Sequence, residues 1–476
     1  MIKTMNNIKR ILCLLVMSVL LSSCEDILEK FPNDQINEEI IFSSLTKADD
    51  VLIGVYSEIA GTSYLGATLY LRAAVKGTDF RAIKPSLNER NPLKIEYEYS
   101  ETALANGRAS EMWNSCYKAL NNLNILLANI DDVPDGSDSD RSRIKGEALA
   151  LRAMIHFDLV RTFSYPWIKD NGASQGIPLA IEVLINGNIE RGTVADIYAQ
   201  VISDYKAAEA LLDPVDNPRF INKTAVQALL ARTYLYQEDW TNSLTYAQKV
   251  ISTMGTGSLM NISNFTRDAF NSESIFELDK IHINNTSGSS AISAQLTNDN
   301  GGQEDILATL SFKTLLTQFA DDPRGQFFQE DRETTDELSY AKYLDVGAEG
   351  SHNVVVIRLS EVFLIASEAA ARSNEDGASY LYEVTQRRST SYTLSTLTGD
   401  ALVDKIAIER RKELALEGHG VYDYIRRGKD ITRVATDHEN IPLDKITIMS
   451  DNYQTIYPIP IEEINASGMV QTQGGY

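Results

Sequence analysis

The chain has 476 residues, with 44 Lys and Arg against 66 Asp and Glu, a formal charge of −22, and 43% hydrophobic residues. That composition can fill a sizeable core and excludes a disordered acidic polymer, a polytopic membrane protein and a disulfide-stapled miniprotein. The excess of acid also argues against a nucleic-acid partner, because phosphate binding needs clustered Lys and Arg.

The first ten residues carry Lys3, Lys9 and Arg10 and no acid, and Ile11–Leu21 is an unbroken apolar run. A spanning helix needs about 20 residues, so the run fits the hydrophobic stretch of a signal peptide instead. It ends in Leu21-Ser22-Ser23-Cys24, which resembles a bacterial lipobox. Residues 1–23 are therefore expected to be a lipoprotein signal peptide and Cys24 the acylated anchor, where buried methylenes contribute about 0.8 kcal/mol each. Of the three cysteines, Cys13 leaves with the signal and Cys24 is lipidated, so Cys116 has no disulfide partner and reads as a small buried residue on a helix. Removing the address takes away three positive charges and moves the formal −22 to −25 for the body, residues 24–476.

Helical periodicity dominates that body. Ile144, Ala148, Leu151, Ile155 and Leu159 share one face of 141–163, and Val194, Ile197, Val201, Tyr205, Ala208 and Leu212 share one face of 193–212. Thr193 with Asp196 three residues on predicts an N-cap close to a capping box. Residues 223–252 predict an antiparallel hairpin: a small-residue helix (Ala225, Ala228, Ala231), a Gln237-Glu238-Asp239 turn, and a second helix opened by Trp240. A second hairpin is expected at 357–389, with its turn at Asn374–Gly377, and further helices at 113–130 and 402–417. Strand signals are confined to Ser274–Ile283 and Val354–Ile357. Two stretches read as loops, Phe163–Pro178 with Tyr165 and Trp167, and the polar Asn284–Asp305. The periodicity predicts a mainly α protein built of helix hairpins of the tetratricopeptide kind, with long loops between them and little β.

Catalytic templates are absent. No HExxH, GxSxG, Walker P-loop or GxGxxG occurs, and the five histidines lack metal-ligand spacing, so neither an enzyme nor a metal or other cofactor is expected. His156 falls among core positions and predicts a satisfied structural imidazole. The charged run 406–427 (IAIERRKELALEGHGVYDYIRR) interleaves signs at helical spacing and reads as a helix stitched to its surroundings by ion pairs.

These elements together resemble the SusD/RagB family of outer-membrane nutrient-binding lipoproteins. The resemblance rests on DDVLIGVYSEI (50–60), EMWNSCYKALNNLNILLANI (111–130), GEALALRAMIHFDLVRTF (146–163), VIRLSEVFLIASEAAAR, ERRKELALEGHGVYDYIRRG and the ending YPIPIEEINASGMVQTQGGY (457–476), in that order. Two departures stand out: His419 where the family usually has Arg, and the lengthened turn SYPWIKDNGASQGIPL. The resemblance implies a mainly α fold, tetratricopeptide-like helix hairpins (an α/α superhelix) packed against a loop-rich half with little β, in one body whose N-terminal part (24–265) and C-terminal part (266–476) pack together. It also implies a lipid anchor at the outer membrane facing the exterior, and a SusC-like TonB-dependent transporter as partner. The implied ligand is an oligosaccharide or polysaccharide bound without cleavage; in the RagB branch it is a peptide or other nutrient.

A sugar offers apolar C–H faces and hydroxyl edges, so its site wants aromatic platforms flanked by polar side chains. In the family the platform commonly lies ahead of the helix that starts near Trp113. Here that points to Asp79, Arg81, Tyr97, Tyr99, Asn106 and Arg108, with the two tyrosines projecting to one side if the stretch is extended. Trp167 is the expected exposed tryptophan, whereas Trp113 and Trp240 are expected to be structural.

Overall fold

The computed structural model describes residues 41–82, 93–183, 190–214, 217–266, 268–283, 291–296, 304–329, 338–343, 352–438, 441–471 and 476. Cys13, Cys24 and the rest of the expected signal segment lie outside the described residues.

Eleven helices carry the architecture: α1 (Leu45–Ile59), α2 (Thr68–Val75), α3 (Ala109–Asn129), α4 (Asp138–Phe163), α5 (Val194–Leu211), α6 (Lys223–Tyr236), α7 (Trp240–Met254), α8 (Leu359–Arg372), α9 (Gly377–Thr385), α10 (Gly399–Glu413) and α11 (Gly420–Ile425). They stack in pairs, α4 on α5, α6 on α7 and α8 on α9, with α3 between α1 and α4 and with α7 against α8. Pair follows pair because each amphipathic helix must bury its stripe against a neighbour. The N-termini are capped as their sequences require. Thr193 Oγ1 accepts from Asp196 N at 3.1 Å while the Asp196 carboxylate accepts from Thr193 N at 2.9 Å, a complete capping box. Ser137 and Asp140 form a second one at the head of α4.

The two hairpins are built alike. In each turn a residue other than glycine takes the left-handed conformation, Glu238 at φ 60° and Asn374 at φ 59°. In each an aspartate then caps the second helix: Asp239 accepts from Asn242 N at 3.1 Å and Asp376 from Ser379 N at 3.0 Å. Small residues let the paired helices close. Ala225, Ala228 and Ala231 are fully buried, and Ser243 Oγ donates to Ala231 O at 2.9 Å. At Gly377 a Cβ would lie 2.4 Å from Ser367 O, so α9 reaches this closeness to α8 only with glycine.

Among the described residues strand is confined to short antiparallel ribbons. Residues 274–278 pair with 354–358, 80–82 with 306–308, and 328–329 with 339–340. A bridge between Ala308 and Leu338 joins the last two ribbons into one small irregular sheet.

Several boundaries depart from expectation. The Ser274 strand ends at Leu278, and the stretch read as the polar loop Asn284–Asp305 contains a buried helical turn at Ile292–Leu296, since Ile292, Ala294 and Leu296 face the core. The charged run is not one helix. It stops at Glu413 and restarts as α11, because α11 packs backbone to backbone on α2: a Cβ at Gly420 would lie 2.0 Å from Ala73 O. Trp240 is half-buried against the core, Trp113 is 2% exposed, and Cys116 is fully buried on α3.

The charged run does stitch the fold, but inward and across elements. Arg358 pairs with Glu273 (2.9 Å), Glu413 (2.7 Å) and Glu417 (2.8 Å), and Arg388 pairs with Glu273 (3.0 Å) and Glu413 (2.8 Å). Arg324 closes the network on Asp322, Glu409 and Glu413 at 2.6–2.9 Å. Lys342 joins Glu417, and Lys412 joins Glu409 at 3.5 Å. Five cations thus face five carboxylates. Burial alone would raise the Glu413 carboxyl, but Arg388 and Arg358 outweigh it and hold it well below the usual range.

Candidate functional site

The segment ahead of α3 folds into a tight knot. Residues 94–97 form a single helical turn rather than an extended stretch, and Tyr99 takes φ 52°. Both tyrosines consequently turn inward. Tyr97 is 5% exposed, its hydroxyl 2.8 Å from His438 Nδ1 and its ring under the Arg433 guanidinium at 4.9 Å. Tyr99 is fully buried, donates to Lys76 O, and lies between Lys76 and Arg433, 4.3 and 5.0 Å from its ring centre. Burial raises both phenols, Tyr97 to about 12. The exposed, extended placement expected for the two rings is thus corrected: both are packed into the scaffold here.

The polar candidates divide. Asp79 holds α10 through the Arg411 guanidinium, with Nε 3.2 Å from Oδ2, and so serves as an inter-element clamp. Asn106, 9% exposed, spends its amide on Ala103 O (3.3 Å) and Ser110 Oγ (2.8 Å), shaping the turn before α3. Glu96 accepts the Arg108 backbone N–H at 3.1 Å, which fixes Arg108 at the head of α3. Arg108 and Arg81 are both half-buried. Arg81 faces Leu307 in the small sheet, and two residues before that partner stands Asp305, whose carboxyl is raised by burial while Arg108 pulls it down. The turn before α3 also presents Leu104, 84% exposed. Arg108 thus acts on the Asp305 carboxyl, and Arg81 pairs with the strand that follows Asp305; with Leu104 on the turn before α3, we treat this region as one candidate ledge, whose groups can hydrogen-bond hydroxyl pairs and cover an apolar ring face. Sequence reasoning missed Asp305 and Leu104; strand pairing across more than 200 residues leaves no local signal.

Trp167 lies elsewhere. It is half-buried, packed on Tyr198 with ring centres 5.5 Å apart, so it closes the scaffold over α5 instead of standing free. Near it Lys169 covers the Tyr165 ring. His156 is the satisfied imidazole expected: Nε2 accepts from Ala180 N at 3.2 Å and Nδ1 lies 3.0 Å from Arg152 O. Among the described residues no group of His, Cys, Asp and Glu is arranged to hold a metal ion, and no helix is long and apolar enough to cross a membrane.

Known proteins supply the context for this geometry. The sequence profile of a SusD-like family described as starch-binding and associating with the outer membrane matches residues 26–235, and the SusD family profile matches residues 333–476. SusD-like protein P25 of Formosa agariphila is 23% identical over 528 aligned positions, covering 95% of this chain and 97% of that one. The crystal structure of a SusD superfamily protein from Bacteroides thetaiotaomicron superposes with a TM-score of 0.82 at 28% identity, covering 90% of this chain and 99% of the other. A laminarin-binding SusD-like protein shares the fold, with a TM-score of 0.69 at 22% identity over 91% of this chain and all of its own. With both profiles matched in order and the helix pairs superposing nearly end to end, the chain belongs to the SusD/RagB family.

Proposed function

We propose that this protein captures an oligosaccharide or polysaccharide outside the cell, without cleaving it, and passes it to a SusC-like TonB-dependent transporter. The observation that carries the reading is the match of residues 26–235 to a family described as starch-binding and associating with the outer membrane, with residues 333–476 matching the SusD family. Acylation at Cys24 would tether the body to the outer membrane, facing outward. The ledge of Arg81, Arg108, Asp305 and Leu104 is the surface we assign to the polysaccharide, because guanidinium and carboxylate edges match vicinal hydroxyls and Leu104 offers an apolar contact.

The test is retardation of the purified body in gels containing single polysaccharides, starch and laminarin among them, with the products analysed for released sugar. Retardation without release is expected. Release of sugar would show a hydrolase, and binding of peptides alone would favour the peptide-binding alternative. The paired substitution Arg81→Ala with Arg108→Ala should weaken retardation at least tenfold. Co-purification of the transporter with the membrane-anchored protein, lost in Cys24→Ser, tests the partner and the anchor together.

A further inference from the structure

The fold also forms a half-open cavity of about 910 Å³, bordered by Tyr340 of the small sheet and lined by none of the expected site residues. We infer that this cavity is a second binding site, taking a short neutral oligosaccharide. The inference rests on the reading above that the protein binds glycans, but it concerns separate residues.

Four aromatic rings line the cavity: Phe265, Phe327, Tyr340 and Tyr343. Phe265 is half-buried, tilted against Phe327 with centres 5.8 Å apart and with the Arg388 guanidinium 4.9 Å from its ring centre, so a sugar would stack on the side away from Arg388. Thr266, Gln326, Asn271 and Asn353 also line it and offer hydroxyl and amide groups, of which the Asn271 amide already donates to Asp268 O at 3.1 Å and the Asn353 amide to Glu277 at 3.2 Å. A ligand-sized concavity with apolar walls and a few convergent polar groups is the usual form of a small-molecule site, and the volume lies within the range of roughly 300–1,000 Å³ such sites show.

The charged lining decides the class of ligand. Arg324, Arg358, Lys342 and Lys412 all border the cavity, and each is already paired with Glu409, Glu413 or Glu417. Glu277, the remaining glutamate, accepts from Ser274 Oγ, from Phe270 N at 3.0 Å and from Asn353 Nδ2 at 3.2 Å. Withdrawing any of these cations to meet a ligand carboxylate or phosphate would strand a buried charge. Anionic sugars and peptide C-termini are therefore disfavoured, whereas a neutral sugar can stack on Phe265 and exchange hydrogen bonds with the amides without disturbing the network. The site differs from the ledge in form: it is a half-open hollow whose volume suits a few sugar units, while we assign the ledge to a long chain.

The test uses the full body, residues 24–476, on an array of neutral and acidic oligosaccharides of two to six units, with the hits remeasured by calorimetry. Ala269 is an exposed residue of the lining, so Ala269→Trp places a bulky ring in the cavity without replacing a core side chain. Phe265→Ala removes the stacking face. A neutral oligosaccharide should bind the parent protein, bind each of these variants at least tenfold more weakly, and bind the Arg81→Ala, Arg108→Ala protein unchanged. Undiminished binding to Ala269→Trp overturns the proposal, as does an array that yields only acidic oligosaccharides or no hit. Polysaccharide retardation that depends on Arg81 and Arg108, with no short oligosaccharide sensitive to Ala269→Trp, leaves the glycan-binding function standing and removes the second site alone.

Discussion

The guanidinium of Arg358, the residue that leads into α8, lies 2.7 Å from the carboxylate of Glu413 at the end of α10, with the Glu413 side chain fully enclosed. The same carboxylate also receives Arg388 and Arg324. One glutamate thus ties α10 to the start of the second hairpin, to its end and to the segment at 322–324. These contacts hold the wall of the large cavity, which is how a loop-rich half acquires a fixed shape.

Glu413→Gln keeps the side-chain shape and removes the charge, leaving Arg358 and Arg388 buried with too little negative charge. A loss of about 3–5 kcal/mol is expected, read by urea unfolding at neutral pH. The pH dependence follows from the sign of the shift. A carboxyl held low in the folded state stabilises fully above its unfolded value of about 4.3, and that stabilisation disappears as pH falls through the folded value. The parent should therefore lose stability below about pH 4 more steeply than Glu413→Gln. Parallel curves would mean that Glu413 does not govern the acid limb.

Much of the fold is legible in sequence because helix pairing is local. The spacing of Ala225, Ala228 and Ala231, the Thr193–Asp196 cap and the Asn374–Gly377 turn each announce an element within a few residues. The site is not legible in that way. Tyr97 and Tyr99 read as an exposed pair only if the backbone is extended; a single helical turn and one left-handed residue reverse them. Arg81 comes to the segment that follows Asp305 only through a strand pairing of high sequence separation, with Leu307. The run ERRKEL predicts ion pairs by its spacing along one helix, yet its partners Arg324, Arg358 and Arg388 come from other elements, which periodicity cannot reveal.

Lys76 and Glu101 form a fully buried pair with Nζ 2.5 Å from Oε1. Desolvation brings the Lys76 amine down to about 7 and raises the Glu101 carboxyl, so the pair costs nearly what it returns. Lys76→Met alone should cost about 3–5 kcal/mol by leaving Glu101 unpaired, whereas Lys76→Met with Glu101→Leu should fall within about 1–2 kcal/mol of the parent. Additive losses in that double-mutant cycle would contradict this account.

His156 is held as a neutral imidazole, its burial bringing it down to about 3. In the unfolded chain it takes a proton near pH 6.5, so folding loses stability from about pH 6.5 down to about 3. His438, lowered to about 4 mainly by burial, has the same sign. Stability should therefore begin to fall near pH 6.5, before the carboxylates titrate. His156→Gln should flatten that first decline in a series of urea midpoints between pH 7 and 5; an unchanged slope would assign the decline to other groups.

Tyr99 separates scaffold from platform. Its hydroxyl donates to Lys76 O and its ring is sealed between two cations, so Tyr99→Phe leaves a buried carbonyl without that donor. A loss of about 1–3 kcal/mol is expected. Below the melting range, retardation by polysaccharide should equal that of the parent, because no sugar reaches the ring. Tyr97→Phe should behave likewise, since its hydroxyl is engaged with His438. If either substitution weakens retardation while the thermal midpoint holds, the phenol touches the ligand and the segment before α3 must open when sugar binds.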